Sequence, residues 1–382
     1  MPIKPQREID QEKLEQKLKD FPWYVSDFVD HKSNKLSPST LLGYLFDYEV
    51  FFGWLIAEAG CPVDNIKDIP LSFLESLDRK TADNFPKFLE KQKFSGSTRR
   101  KKNSETTIAR KMAALKSLFN YLQNTAEDEN QRPLITRNVI EKINFAVTTV
   151  DVQTRADIIQ HKILDSKKAV EAFRQFVAQD YGKQTGRSNR HLSWYEDNRE
   201  RDTAIVSLIL GSGLRVNEVA TISLDDINWD KRRVLVARKG KKKQSVPFSK
   251  RAKLDLEEYM RIRSSRYKPL DTETALFLTK GGKPMTKNTI QKMVMKYSKA
   301  FGKYLSVHNL RHSFGTQLYQ KTRNLRLVQD VLGHSEPKTT TIYTHIGNDE
   351  QNKAVDIMDD YDTTNDESAV VDGYDEAAAA KE

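Results

Sequence analysis

The second half of this 382-residue chain holds two arginines, two histidines and a tyrosine in motifs that could do chemistry together. Arg215 lies in GSGLRVNEV (211–219), His308 and Arg311 in HNLRHSFGTQLY (308–319), and His334 and Tyr343 in LGHSEPKTTTIYTH (332–345). That inventory suits attack of a phenolate on a phosphate diester. A diester carries one negative charge and gains more as a nucleophile adds. Guanidinium answers this with a planar fork that meets two phosphate oxygens and stays charged at any usable pH. Imidazole can add hydrogen bonds and move protons near neutrality. The tyrosine hydroxyl, with an ordinary pKa of about 10, needs a proton acceptor to become a nucleophile. With two guanidiniums supplying the electrostatics, the chemistry requires no metal or other cofactor.

Taken singly, each residue has a plainer explanation. Tyr343 in TIYTH would ordinarily be a packing tyrosine, His334 a polar residue at a helix start, and Arg215 the ion-pair partner of Glu218 three residues on. His312 reads as making a structural hydrogen bond, and Asp225 and Asp226 as part of a turn before a strand rather than as metal ligands. The spacing favours the joint interpretation. His308 and Arg311 are three apart and share one face of a helix. Arg215 sits just past a Gly-Ser-Gly break, where one helix would end and another begin.

These residues resemble the signature of the tyrosine recombinase (phage integrase) family: an arginine in a GLR-x-x-E context, then H-x-x-R, then His or Trp, then a tyrosine nucleophile. Here the pieces are Gly213-Leu214-Arg215 with Glu218, His308 with Arg311, His334, and Tyr343. The family's remaining member is a lysine on a β-hairpin between the first two pieces, and RKGKKKQ (238–244) lies there. Within the family the chain is most similar to the Xer type, and especially the single-enzyme XerS group, through FPWYVSDF near the start and RERDTAIVSLILGSGLRVNEV in the middle. The resemblance spans roughly residues 20 to 350.

The resemblance implies that Arg215 and Arg311 grip the non-bridging oxygens, with Glu218 orienting Arg215. It further implies that His308 and His334 add hydrogen bonds and move protons, and that Tyr343 forms a 3′-phosphotyrosyl bond whose stored energy permits rejoining without ATP. Lys239 is the choice for general acid to the 5′ leaving group, though Lys241, Lys242 and Lys243 crowd the same turn. The implied function is site-specific recombination of duplex DNA through a Holliday junction, resolving chromosome dimers at a dif-like site. The implied assembly is a homotetramer on two DNA sites, with an FtsK-type DNA translocase as activator. An integrase of a mobile element and a non-catalytic architectural DNA-binding protein are the alternatives.

The elements that must position these residues divide into two domains, as expected at this length. The fold implied is mainly α: an all-α, SAM-like core-binding domain over 1–145, a linker at 146–164, and a catalytic domain over 165–350. The catalytic domain combines helices with a small antiparallel sheet, and the two domains form a C-shaped DNA clamp. A subunit-contact helix and an acidic, disordered tail are expected over 351–382. In the first domain, SPSTLLGYLFDYEVFFGWLIAEAG (37–60) has a serine at its start and Gly60 behind it. Its Leu41, Leu45, Tyr48, Phe52 and Leu55 recur at helical spacing and form a buried stripe. A helix from Thr106 or Thr107 turns Ile108, Met112, Leu115, Leu118 and Phe119 inward, with Arg110, Lys111 and Lys116 projecting elsewhere.

In the second domain, residues 183–201 form a polar insertion, 201–213 an apolar helix, and 226–250 strands in which Val234, Val236, Val246 and Phe248 alternate around a basic turn. Residues 275–285 read as a short strand and turn.

Charge points to the same partner. The chain carries 63 Lys+Arg against 53 Asp+Glu, a net of +10. The stretch 356–382 holds ten acidic residues and one lysine, a net of −9, which leaves the preceding 355 residues at +19. So basic a body suits nucleic acid. Arg99, Arg100, Lys101 and Lys102 form a cluster that can meet phosphates, with a solvated charge run as the competing explanation. The one cysteine, Cys61, excludes an internal disulfide and a cysteine zinc site. With no apolar run of some 18 residues and no signal-peptide core, no membrane span and a cytoplasmic location are expected.

Overall fold

The computed structural model describes residues 6–92, 102–143, 151–184, 188–238, 243–333 and 340–344. Chain packing divides the protein into two units, Met1–Thr149 and Val150–Glu382.

The described part of the first unit is helical: α1 (Gln6–Leu18), α2 (Trp23–Ser33), α3 (Pro38–Ala57), α4 (Leu71–Ser76), α5 (Arg79–Ala82), α6 (Asn84–Lys91) and α7 (Glu105–Asn124). The start of α3 follows from its sequence. The Ser37 side chain accepts from the Thr40 N–H, and Pro38, which lacks an N–H, occupies the first turn where none is needed. The predicted stripe is buried, and Phe51 packs edge-on against both Phe85 of α6 and Phe119 of α7. By length and composition α3 could cross a membrane, but its Leu45, Tyr48, Phe51, Phe52 and Leu55 lie wholly inside this helical core. Lys111, expected to project away from the core, instead turns inward and meets the buried Asp47 at 3.0 Å. A buried carboxylate needs such a partner, and Arg110 supplies a second one on the same group.

The second unit begins earlier than the sequence suggests. Within the segment assigned to a linker, Asp151 caps a helix, α8 (Val152–Gln160), by accepting from the Thr154 N–H. Ala156 and Ile163 are fully buried in a cluster with Val328, Leu332, Ile342 and Tyr343. Short apolar side chains in a polar-looking stretch conceal this packing, because the pattern carries too few large residues. Then follow α9 (Lys167–Gln175), α10 (Asn189–Ser212) and α11 (Val216–Ala220). The polar insertion at 183–201 is largely the opening turns of α10, which becomes apolar only where it enters the core.

Three strands, β1 (Ile227–Asn228), β2 (Arg233–Ala237) and β3 (Lys243–Pro247), form an antiparallel sheet in sequence order. Val234 pairs with Val246, and the alternation buries Val234, Val236 and Val246 on one face. Residues 275–285 make bridges rather than a strand, Ser223 to Ala275 and Leu278 to Pro284. Helices α12 (Lys250–Tyr267), α13 (Lys287–Phe301), α14 (Val307–Thr322) and α15 (Leu325–Leu332) complete the unit, with a short turn at Thr341–Thr344. The core is centred on α10. Its buried Asp202 accepts from Arg201 at 2.7 Å and from the Tyr297 hydroxyl at 2.8 Å, so the charge is paired where it is desolvated. The C-terminal helix and tail expected over 351–382 lie outside the described residues.

Candidate active site

Helix α10 ends at Gly213, whose φ of +68° places it in the left-handed region that glycine adopts without strain. A Cβ there would also come within 2.5 Å of Phe314 and 2.6 Å of Leu332. Two residues on, Arg215 opens α11. Glu218 fixes it twice: Oε2 accepts from the Arg215 backbone N–H at 2.8 Å, and Oε1 accepts from its Nη1 at 2.9 Å. Pairing with Glu218 and convergence with the other site residues are therefore compatible. The Arg215 side chain keeps 42 % of its surface exposed, enough to meet a ligand from solvent.

Arg311 comes from α14 and is buried. Its Nη1 donates to the Gly213 carbonyl at 2.6 Å and its Nη2 to the Leu332 carbonyl at 2.7 Å. Arg215 Nη2 donates to the next carbonyl, Gly333, at 3.0 Å. A third guanidinium joins them from the end of β2: Arg238 Nη2 donates to the Val331 carbonyl at 2.9 Å, and its Nε lies 3.7 Å from Glu218 Oε1. Three successive carbonyls thus each receive a different arginine. The last carbonyls of a helix lack intrahelical donors and sit at the negative end of its dipole, so the C-terminus of α15 is a natural seat for cations. Gly333 makes this possible, since a Cβ at that position would fall 1.3 Å from Arg238 Nη1.

Tyr343 sits on the short turn at 341–344 with its ring fully buried. Its hydroxyl and His312 Nδ1 are 3.0 Å apart. Gly315 leaves room for the ring, because a Cβ there would stand 2.6 Å from Cζ and 2.8 Å from the hydroxyl. Burial pushes the Tyr343 hydroxyl up to about 12, against the opposing pull of Arg311 and Arg215. Burial likewise pushes Arg311 down to about 10, assisted by the like charges of Arg215 and Arg238 and opposed by Glu218 and Tyr343. Arg311 therefore stays charged at neutral pH.

The structure places Arg215, paired with Glu218, and Arg311 on adjacent carbonyls at the end of α15, with Tyr343 buried nearby. It places the exposed His308 one turn before His312, with the two rings stacked at 4.4 Å. His312, expected to make a structural bond, is the imidazole seen against the tyrosine hydroxyl. Arg238 was not singled out from the sequence; its only signal was its place between β2 and the basic turn. Lys102 is exposed, and the exposed Lys243 opens β3. Arg99, Arg100, Lys101, Lys239, Lys241, Lys242 and His334 lie outside the described residues. Among the described residues, no group of three or more metal-ligating side chains occurs.

Three guanidiniums meet at one helix end, and the buried Tyr343 hydroxyl lies close enough to feel the charge of Arg311 and Arg215. The model of the phage integrase family matches residues 189–350. The tyrosine recombinase XerS of Streptococcus pneumoniae (strain CGSP14) is 38 % identical over 357 residues, covering 92 % of this chain and 99 % of the relative. In fold, the chain is similar to the XerH site-specific recombinase bound to palindromic difH substrate, with TM-score 0.60, 20 % identity and coverage of 94 % and 90 %. It is also similar to the Tn1549 transposon integrase in complex with circular intermediate DNA, with TM-score 0.57, 18 % identity and coverage of 84 % and 93 %. The chain belongs to the tyrosine recombinase family. It is an enzyme of site-specific DNA recombination.

Proposed function

We propose that this enzyme cleaves and rejoins duplex DNA at a dif-like inverted repeat, acting as a homotetramer on two sites to resolve chromosome dimers in the cytoplasm. The observation that carries the chemistry is the seating of Arg215, Arg311 and Arg238 on one helix end within reach of the buried tyrosine's field. Arg215, half exposed and fixed by Glu218, meets the non-bridging oxygens of the scissile diester, and Arg311 adds its charge from behind. The Tyr343 oxygen bonds to phosphorus as its proton passes to an imidazole, His312 or the stacked His308. The bond from phosphorus to the 5′ oxygen breaks, and Lys239 supplies the proton that oxygen takes up. His334 completes the hydrogen bonding to the diester. Reversal with a different 5′ hydroxyl rejoins the strands and, after the second exchange, resolves the Holliday junction.

Full-length similarity to XerS supports the chromosomal role over integration of a mobile element, and XerH offers a neighbour bound to a difH site. Activation by an FtsK-type DNA translocase accords with that role. Arg99, Arg100, Lys101 and Lys102 in the first unit, and Lys241, Lys242 and Lys243 in the sequence after β2, are assigned to the DNA backbone. The decisive experiment incubates the protein with a nicked duplex that it has itself selected from a random-sequence library. The wild type forms a covalent adduct and Tyr343→Phe forms none; an adduct that persists in the variant would remove Tyr343 from the role of nucleophile.

A further inference from the structure

Arg238 has an unusual standing for a residue outside the family signature. Its side chain is only 8 % exposed, and it shares Glu218 with Arg215. Among the described residues, its Nε and Nη1 have no hydrogen-bond partner. A buried guanidinium so incompletely paired costs folding free energy, and an apolar side chain of similar size would pack the same space without that penalty. Such a cation is therefore poorly explained by packing alone. Burial and the neighbouring Arg215 both disfavour its charge, with Glu218 alone opposing them.

The local charge supplies an account. Three guanidiniums less one carboxylate leave the described pocket at +2. A diester carries −1, and the pentavalent arrangement formed when a phenolate adds to it carries −2. With Arg238 removed, Glu218 neutralises Arg215 alone and the pocket falls to +1. The match would then be to the ground state rather than to the transition state, and only differential stabilisation accelerates the step. In a poorly solvated pocket one charge more or less is felt strongly.

We propose that Arg238 is a positioning residue that draws on Glu218, holds the end of α15 through Val331, and so leaves Arg215 and Arg311 with the surplus charge the transition state requires. This rests on the proposed role of the arginine pair. It is tested with Arg238→Met, Arg238→Lys and, as reference, Arg215→Ala, each at saturating selected duplex with a single nick. On the natural diester Arg238→Met forms adduct about 10 to 100 times more slowly than wild type, Arg238→Lys falls between them, and the melting temperature of Arg238→Met is no lower than that of the parent. On a duplex whose scissile group is an uncharged methylphosphonate, the transition state carries only −1, and the deficit of Arg238→Met shrinks to about threefold or less.

An equal deficit on both substrates, with Arg215→Ala still relieved on the methylphosphonate, would overturn the proposal and leave Arg238 a packing residue. So would relief on a 5′-bridging phosphorothiolate alone, which would place its action at the leaving group. If Arg215→Ala is itself not relieved, the role of the arginine pair falls first, and the proposal falls with it.

Discussion

Nδ1 of His312 lies 3.0 Å from the Tyr343 hydroxyl, although His308 is the histidine that the H-x-x-R pattern points to. Both rings belong to one face of α14, four residues and one turn apart, and they stack on each other. The inner imidazole meets the tyrosine and the outer one meets solvent. In the tautomer that leaves Nδ1 unprotonated, His312 accepts from the Tyr343 hydroxyl, with the second ring beyond it.

Replacing His312 by phenylalanine keeps the ring stack and removes the acceptor. Adduct formation is expected to fall by about 100-fold at neutral pH, in the range typical for loss of a general base. Binding of the duplex should remain within about threefold. Single-turnover trapping of adduct over a pH series checks both. An unchanged rate with His312→Phe, together with a collapse in His308→Phe, would reassign the proton to the outer ring.

Gly315→Ala places a methyl group 2.6 Å from Tyr343 Cζ and 2.8 Å from its hydroxyl. Overpacking of this kind costs about 1–3 kcal/mol and is relieved here by displacing the tyrosine. The variant is expected to fold and bind DNA, yet to form adduct at least about tenfold more slowly, the equivalent of some 1.4 kcal/mol. Titrating duplex binding beside adduct yield separates the effects. Wild-type cleavage by Gly315→Ala would show that the ring's buried seat is not where catalysis starts.

The raised Tyr343 hydroxyl also makes a claim about stability. Its pKa moves from 10.0 unfolded to about 12 folded, chiefly through burial. The folded state therefore holds this proton more tightly. The resulting stability is fully present below pH 10 and is lost as pH rises toward 12. A shift of this size is worth about 2–3 kcal/mol. Urea denaturation between pH 9 and 12 should show wild type losing stability more steeply than Tyr343→Phe by that amount. Parallel curves would mean that Tyr343 ionises in an environment as wet as the unfolded chain.

Much of this architecture is legible in the sequence, for a definite physical reason. The stripe on α3 and the alternation of Val234, Val236 and Val246 come from large apolar residues at regular spacing, which periodicity exposes. Arg215, Arg311 and Tyr343 were identifiable because their chemistry is rare in combination. What escaped depends on contacts between segments far apart in the chain. Arg238 reaches Val331 across 93 residues, and neither position has a local pattern to announce it. His312 gives no sign in the sequence of its contact with the Tyr343 hydroxyl, because the side chain beside it comes from residue 343. Helix α8 leaves little trace in the sequence, since its buried residue, Ala156, contributes a single methyl group.

The seating of three arginines on Val331, Leu332 and Gly333 ties the alignment of the pocket to the phase of one short helix. Each residue added to α15 would advance its end by about 100° and 1.5 Å. A single insertion between Leu325 and Leu332 would therefore swing all three oxygen atoms away from their donors at once, while leaving every arginine in place. Eight residues, none of whose side chains is assigned to the reaction, act as the ruler against which distant parts of the chain are set.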